Sequence, residues 1–300
     1  MRPSALGFAI GLQQYAGSHN TSLPESLSYL SNKIIRVGKV RKLIEPLKES
    51  SNVFPKVHSV WNRILEEIFN QHGSTTELIA ELWANIVNPT FFSATSPERR
   101  AIAFKLVSMA LSSGNEESIA IILSTDALRC FVNNHSSKDT YLHEPAQNFL
   151  KSIKEAANKS MNLRVAIVNA ILTNGSVNFD RKSGSTLLAD LVNELDENSI
   201  GSYVDFVTNA ILAPQVSEED IEEDDTESKL DRISAKRVWA IDALYAAVKP
   251  KPNVVISKKV AQVSIYRFMM LSFFQYDSTS VTSSGKDKEK SKKKKWKNRI

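Results

Sequence analysis

Apolar positions recur along this chain with the period of an α-helix. Val57, Val60, Trp61, Ile64, Leu65, Ile68 and Phe69 fall at i, i+3, i+4 and i+7 spacing, with Arg63, Glu66 and Glu67 on the opposite face. Leu78, Ile79, Leu82, Trp83, Ile86 and Val87 repeat the pattern, as do Leu187, Leu188, Leu191, Val192 and Leu195. So do Ile241, Leu244, Tyr245 and Val248. Such a stripe marks a helix that buries one face against a neighbour. No run alternates in the way a strand would. The spacing predicts helices near residues 4–15, 23–37, 39–49, 56–70, 76–87, 97–112, 115–123, 125–134, 139–158, 162–173, 184–195, 199–213, 228–248 and 256–275.

Punctuation agrees with this pattern. Ser22 and Ser96 each stand just before a proline in a first helical turn, where the missing N–H costs nothing. Pro46 lies late in the Val37, Val40, Ile44, Leu47 stripe and is expected to break or kink that helix. Gly73, Gly114 and Gly175 follow periodic runs as C-terminal stops. Many helices of roughly 10–20 residues with short connections predict an all-α fold, an armadillo- or HEAT-like helical solenoid. No clean sequence period of about 40 residues accompanies it, so that expectation rests on architecture.

Two segments leave the pattern. Residues 218–227 carry eight acids and no base. A self-repelling block of this kind reads as a solvated loop, over 217–227, within a helical region spanning 1–277. Residues 278–300 are rich in Ser, Thr and Lys and read as a disordered basic tail. The most apolar stretch, 268–274, is far too short to span a bilayer. The N-terminal apolar run is broken by Gly7 and Gly11 and reads as a short amphipathic helix rather than a signal peptide.

Charge sharpens the division. The 300 residues sum to +5, yet residues 286–300 alone hold nine bases against two acids. With the tail and the acidic block set aside, the helical body keeps 29 bases and 23 acids. One cysteine, Cys130, excludes an internal disulfide framework and a cysteine-built zinc site. It sits in an apolar helical stretch and is expected to be a buried, inert thiol. None of the five histidines forms a helical ligand pair, and His58 is expected to be structural or capping. Phosphate-binding glycine loops and nucleophile elbows are missing as well. Asp224 and Asp225 adjoin, but a solvated acidic run cannot hold two metal ions ~4 Å apart. Asp139, Asp180 and Asp190 read as caps, turns or exposed positions. No catalytic residue, cofactor, metal or small-molecule substrate is therefore expected.

The basic clusters are the candidates for function. Lys292, Lys293, Lys294 and Lys295, followed by Trp296 and Lys297, form a candidate nuclear-import or nucleic-acid contact, with Trp296 able to stack on an unpaired base. A second candidate basic face comprises Lys33, Arg36, Lys39, Arg41 and Lys42, with Lys48 following. Only Glu45 opposes it within that span.

Several stretches, in order, resemble the DNA polymerase phi family, also called DNA polymerase V or the Myb-binding protein family. They are Val57-His58-Ser59-Val60-Trp61, then Pro89-Thr90-Phe91-Phe92-Ser93 leading to Ser96-Pro97-Glu98-Arg99-Arg100. Cys130-Phe131-Val132-Asn133-Asn134 and Ser137-Lys138-Asp139-Thr140-Tyr141-Leu142-His143 follow. Gly175-Ser176-Val177-Asn178-Phe179-Asp180 and Arg237-Val238-Trp239-Ala240-Ile241-Asp242 complete the set. The resemblance implies a nucleolar, armadillo-type protein that binds DNA and transcription factors. It implies a role in ribosomal DNA transcription and ribosome biogenesis. Its partners would be ribosomal DNA or rRNA precursors, with nuclear transcription or ribosome-assembly proteins, and no membrane. The family name also implies template-directed DNA polymerase activity, for which these residues offer no carboxylate pair or nucleotide loop. Chains of the family are much longer, which implies a partial chain here.

Overall fold

The computed structural model describes residues 2–19, 21, 34–70, 75–175, 178–196, 199–201, 203–205, 207, 262 and 266. Every regular element among them is helical, so the fold is all-α. Helix α1 spans Pro3–His19. A 3-10 turn, Val40–Leu43, runs directly into α2, Ile44–Glu49, and a second 3-10 turn, Ser50–Val53, follows. Next come α3 (Val60–Phe69) and α4 (Thr75–Leu82), which widens without a break into a π-helical segment, Trp83–Phe92. Then follow α5 (Pro97–Ser113), α6 (Glu116–Ile122), α7 (Thr125–His135), α8 (His143–Ala157), α9 (Met161–Asn174), α10 (Phe179–Ser183) and α11 (Leu187–Asn193).

Short polar side chains start α5, α6, α7 and α9. Ser96 Oγ accepts the Arg99 N–H at 3.4 Å, and Pro97 takes the first helical position. Asn115 and Ser118 cap α6 reciprocally, each side chain accepting the other's backbone N–H at 3.0 Å. Ser124 and Ser160 cap α7 and α9. Helix α11 is capped from a distance, because Asp180 on α10 accepts the N–H groups of Leu188 and Ala189 at 3.0 and 2.9 Å. At the end of α9, Gly175 donates its N–H to the Ile171 carbonyl. A Cβ at Gly175 would collide with that same oxygen, so the stop requires glycine.

A line of aromatic rings runs through the core. Trp61 meets Phe91 edge-on at 5.6 Å, and Phe92 meets Phe104 at 5.8 Å. Phe104, Phe149, Phe131 and Phe179 continue it at 5.2, 5.7 and 5.7 Å. Rings at these separations attract beyond what area burial alone supplies. Both buried indoles also find acceptors, Trp61 Nε1 on Ser50 Oγ at 2.8 Å and Trp83 Nε1 on the Ile122 carbonyl at 3.2 Å. Packing follows two successions: α1 on α3, α3 on α5, α5 on α8 and α8 on α11, beside α4 on α6 and α6 on α9.

Six expectations need correction. Residues 34–38, the described end of the helix expected over 23–37, are bends and turns. The helix expected over 39–49 is a 3-10 turn followed by a short α2. Pro46 does not break it; it lies in the first turn of α2, where its nitrogen had no helical acceptor to lose. The helix expected over 76–87 continues to Phe92, and its wider winding accommodates Pro89. Residues 137–142 form turns, so α8 starts at His143 rather than near 139. The helix expected over 184–195 is shorter, starting at Leu187 after Gly184 ends α10 at φ +67°. The helices expected at 228–248 and 256–275, the acidic loop 217–227 and the tail 278–300 lie outside the described residues, apart from 262 and 266.

Candidate nucleic-acid interface

The described part of the second basic face is one compact stretch. Arg36, Arg41, Lys42 and Lys48 are exposed and Lys39 is partly so, while Lys33 lies outside the described residues. The alternation comes from the turn itself. Ile35, Val40, Leu43 and Leu47 point into the core, so the cations between them face outward. Gly38 reverses the chain at φ +80°, a conformation that L side chains rarely adopt. Arg36 O then accepts the Lys39 N–H at 3.1 Å, and Lys39 O accepts the Lys42 N–H at 3.0 Å.

Two polar side chains fasten this turn to the neighbouring helix. Glu81, at the end of α4, accepts the Gly38 N–H at 2.8 Å. Asn85, one turn later in the π segment, accepts the Arg41 Nε–H at 3.0 Å. The amide of Asn85 is itself held, since its Nδ2 donates to the Glu81 carbonyl at 2.8 Å. None of Arg36, Lys39, Arg41, Lys42 and Lys48 forms an ion pair with a described residue. Glu45 and Glu49 of α2 and the bonded Glu81 are the nearby acids along these elements. The turn therefore presents cations without an ion-pair partner among the described residues, on a fixed backbone.

Several other titratable groups serve the fold. Burial pushes the Cys130 thiol up to about 11, so it stays protonated and unreactive near neutrality. Burial, with a smaller effect of Asp180, raises the Tyr203 phenol. The Ser96 hydroxyl holds the Glu98 carboxyl below its usual range, and Ser199 does the same for Asp196. His58 Nδ1 accepts the Val60 N–H at 3.1 Å and so caps α3. Asp190 pairs with Lys154 at 2.8 Å. Among the described residues, no three His, Cys, Asp or Glu side chains converge to hold a metal ion. No described helix is long and apolar enough to cross a membrane. Lys292, Lys293, Lys294, Lys295, Trp296 and Lys297 lie outside the described residues, as do Asp224 and Asp225.

Sequence reasoning found the cations and missed what holds them. Glu81 and Asn85 look like the solvent face of an amphipathic helix. Their i, i+4 spacing beside a glycine turn was the available signal, but it does not say which segment lies opposite.

Comparison with known proteins agrees with the order of the motifs. A profile of the family described as DNA polymerase phi matches residues 2–300. The chain is also similar to the "rDNA transcriptional regulator pol5" of Schizosaccharomyces pombe (strain 972 / ATCC 24843). The two are 26% identical over 202 residues, which cover 66% of this chain and 20% of that relative. The chain thus spans about a fifth of the length of the curated relative it matches. No solved structure matches.

Proposed function

Since the chain belongs to the DNA polymerase phi family, matched across residues 2–300, we propose that it is a helical scaffold acting in ribosomal DNA transcription. The observation that carries this reading is the similarity to a protein named as an rDNA transcriptional regulator. The scaffold works in the nucleus, at the nucleolus, where it contacts ribosomal DNA or its transcripts and brings transcription or ribosome-assembly proteins to them. The cations of residues 36–48, which form no ion pair among the described residues, support the nucleic-acid part, because cations near phosphates release counterions and gain affinity without a shaped pocket. The lysines at 292–295 and at 297 suit nuclear import or a second phosphate contact.

An armadillo- or HEAT-like solenoid is the architecture that goes with this role. Helices α3, α5, α8 and α11 start at residues 60, 97, 143 and 187, intervals of about 40 residues, and each packs on the next. A stacked array of that kind offers a long surface for partners. Chromatin immunoprecipitation of the tagged chain, with pulse-labelling of new pre-rRNA after its depletion, tests the proposal. Enrichment at ribosomal DNA together with a fall in pre-rRNA synthesis is expected. Uniform recovery across the genome, with normal synthesis, would contradict it.

A further inference from the structure

The cationic turn has an organisation that charge alone does not require. Of its five cations, only Arg41 has a hydrogen-bonded side chain among the described residues, and the bond uses Nε alone. Its acceptor, Asn85, is fixed by a second bond to the helix backbone. No described residue bonds the two terminal guanidinium nitrogens of this exposed side chain, and side by side they form a planar fork that matches two oxygens of one phosphate. Glu81 locks the reversal at Gly38, three residues upstream, so the fork stands on a backbone that does not have to be ordered on binding. Resting on the nucleic-acid reading above, we infer that this turn docks the phosphodiester backbone of a nucleic-acid duplex. Arg41 grips a phosphate, Arg36, Lys39, Lys42 and Lys48 flank it, and Asn85 is the positioning residue.

The residue types choose the backbone over the bases. Residues 36–48 contain no aromatic side chain, so they offer nothing on which unpaired bases could stack. The short helix α2 presents Pro46 and Leu47 to the core rather than a long exposed face to a groove. Contact to phosphates alone fixes orientation without reading sequence. From the 3-10 and α-helical rises, residues 40–48 extend roughly 15 Å, or about four phosphates of one strand.

The test measures affinity by fluorescence anisotropy across a salt series, using short labelled duplexes of unrelated sequence. Matched single strands and an RNA duplex form the other arms. The full chain is used throughout, in its native form and with Lys292, Lys293, Lys294 and Lys295 changed to Gln so that the tail cannot mask the turn. Binding to duplex of any sequence is expected. Arg41→Ala should weaken it about fivefold and reduce the salt slope by about 1. Asn85→Ala should weaken it about twofold while leaving the slope unchanged, because the charge remains and only its placement is lost. Arg41→Lys, which keeps the charge but not the fork, should behave like Asn85→Ala.

Thermal unfolding of each variant separates lost contact from lost fold. Equal affinity for DNA and RNA duplexes supports the shared backbone chemistry, and so does a preference for either one. A stronger grip on single strands overturns the inference. So does an Arg41→Ala protein whose affinity and slope match the parent. If binding is seen only with the native tail lysines, this inference fails while the nucleic-acid reading stands. If neither tail form binds any nucleic acid, both fall.

Discussion

The ring-lined core and the cationic turn at residues 36–48 are held by different forces. Trp61, Phe91, Phe104, Phe131, Phe149 and Phe179 are almost wholly buried, and their placement follows from apolar area removed from water. The turn shares the core's underside through Val40, Leu43 and Leu47, but its outer face is fixed by two side chains, Glu81 and Asn85. Burial is non-directional, so it tolerates many outer surfaces. A pair of hydrogen bonds is directional and contributes little to overall stability, typically ~1 kcal/mol each. The comparison teaches that stability and placement separate in this molecule. Damage to the core should unfold it, whereas damage to the pins should leave a folded protein with a disordered grip.

The sharpest way to break this comparison is at Trp61. Replacing it with Ala empties a space beside Phe91 and removes the indole N–H that Ser50 Oγ accepts, and should cost about 3–5 kcal/mol in denaturant unfolding. A loss under ~1 kcal/mol would mean that the rings do not carry the fold. Asp180→Ala removes the remote cap of α11, where two backbone N–H groups lose their acceptor. The expected cost is about 1–2 kcal/mol, with amide exchange rising first at Leu188 and Ala189. Arg41→Ala should change stability by less than ~0.5 kcal/mol, because its side chain is exposed and bonded once. A loss as large as that of Asp180→Ala would show that the turn belongs to the core's energetics after all.

Cys130 supplies a pH-dependent contrast. Burial raises its folded-state pKa from 9.0 to about 11. Between those values the unfolded chain releases the thiol proton and the folded chain keeps it. This contribution to stability is therefore complete below about 9 and is lost as pH rises through about 11. Cys130→Ala should flatten the decline of unfolding free energy over that interval by on the order of 1 kcal/mol. A parallel decline in both proteins would place the thiol in contact with water.

Much of the core could be read directly from the amino-acid pattern. The stripes through Trp61, Ile64 and Ile68 and through Leu78, Leu82 and Ile86 are buried as their spacing predicts. The cap at Ser96 and the stop at Gly175 were equally visible. What escaped was longer in range or subtler in backbone. Continuous apolar periodicity does not distinguish a 3-10 turn plus a short helix from one helix over 39–49, because both bury Val40, Leu43 and Leu47. The π winding at Trp83–Phe92 also keeps its apolar face inward, and only Pro89 signalled it. Asp180 caps a helix eight residues away, across a turn that local spacing cannot place. The cations of the candidate site were visible as composition. Their pins, Glu81 and Asn85, lie 43 and 44 residues from the groups they hold.

The central claim is that Asn85 serves nucleic-acid binding through Arg41 and in no other way. A double-mutant cycle on duplex affinity measures this coupling, using the parent, Asn85→Ala, Arg41→Ala and the double variant at one salt concentration. Asn85→Ala should weaken the parent about twofold and leave the Arg41→Ala protein unchanged. Equal weakening in both backgrounds, with no coupling between the two residues, would contradict the account.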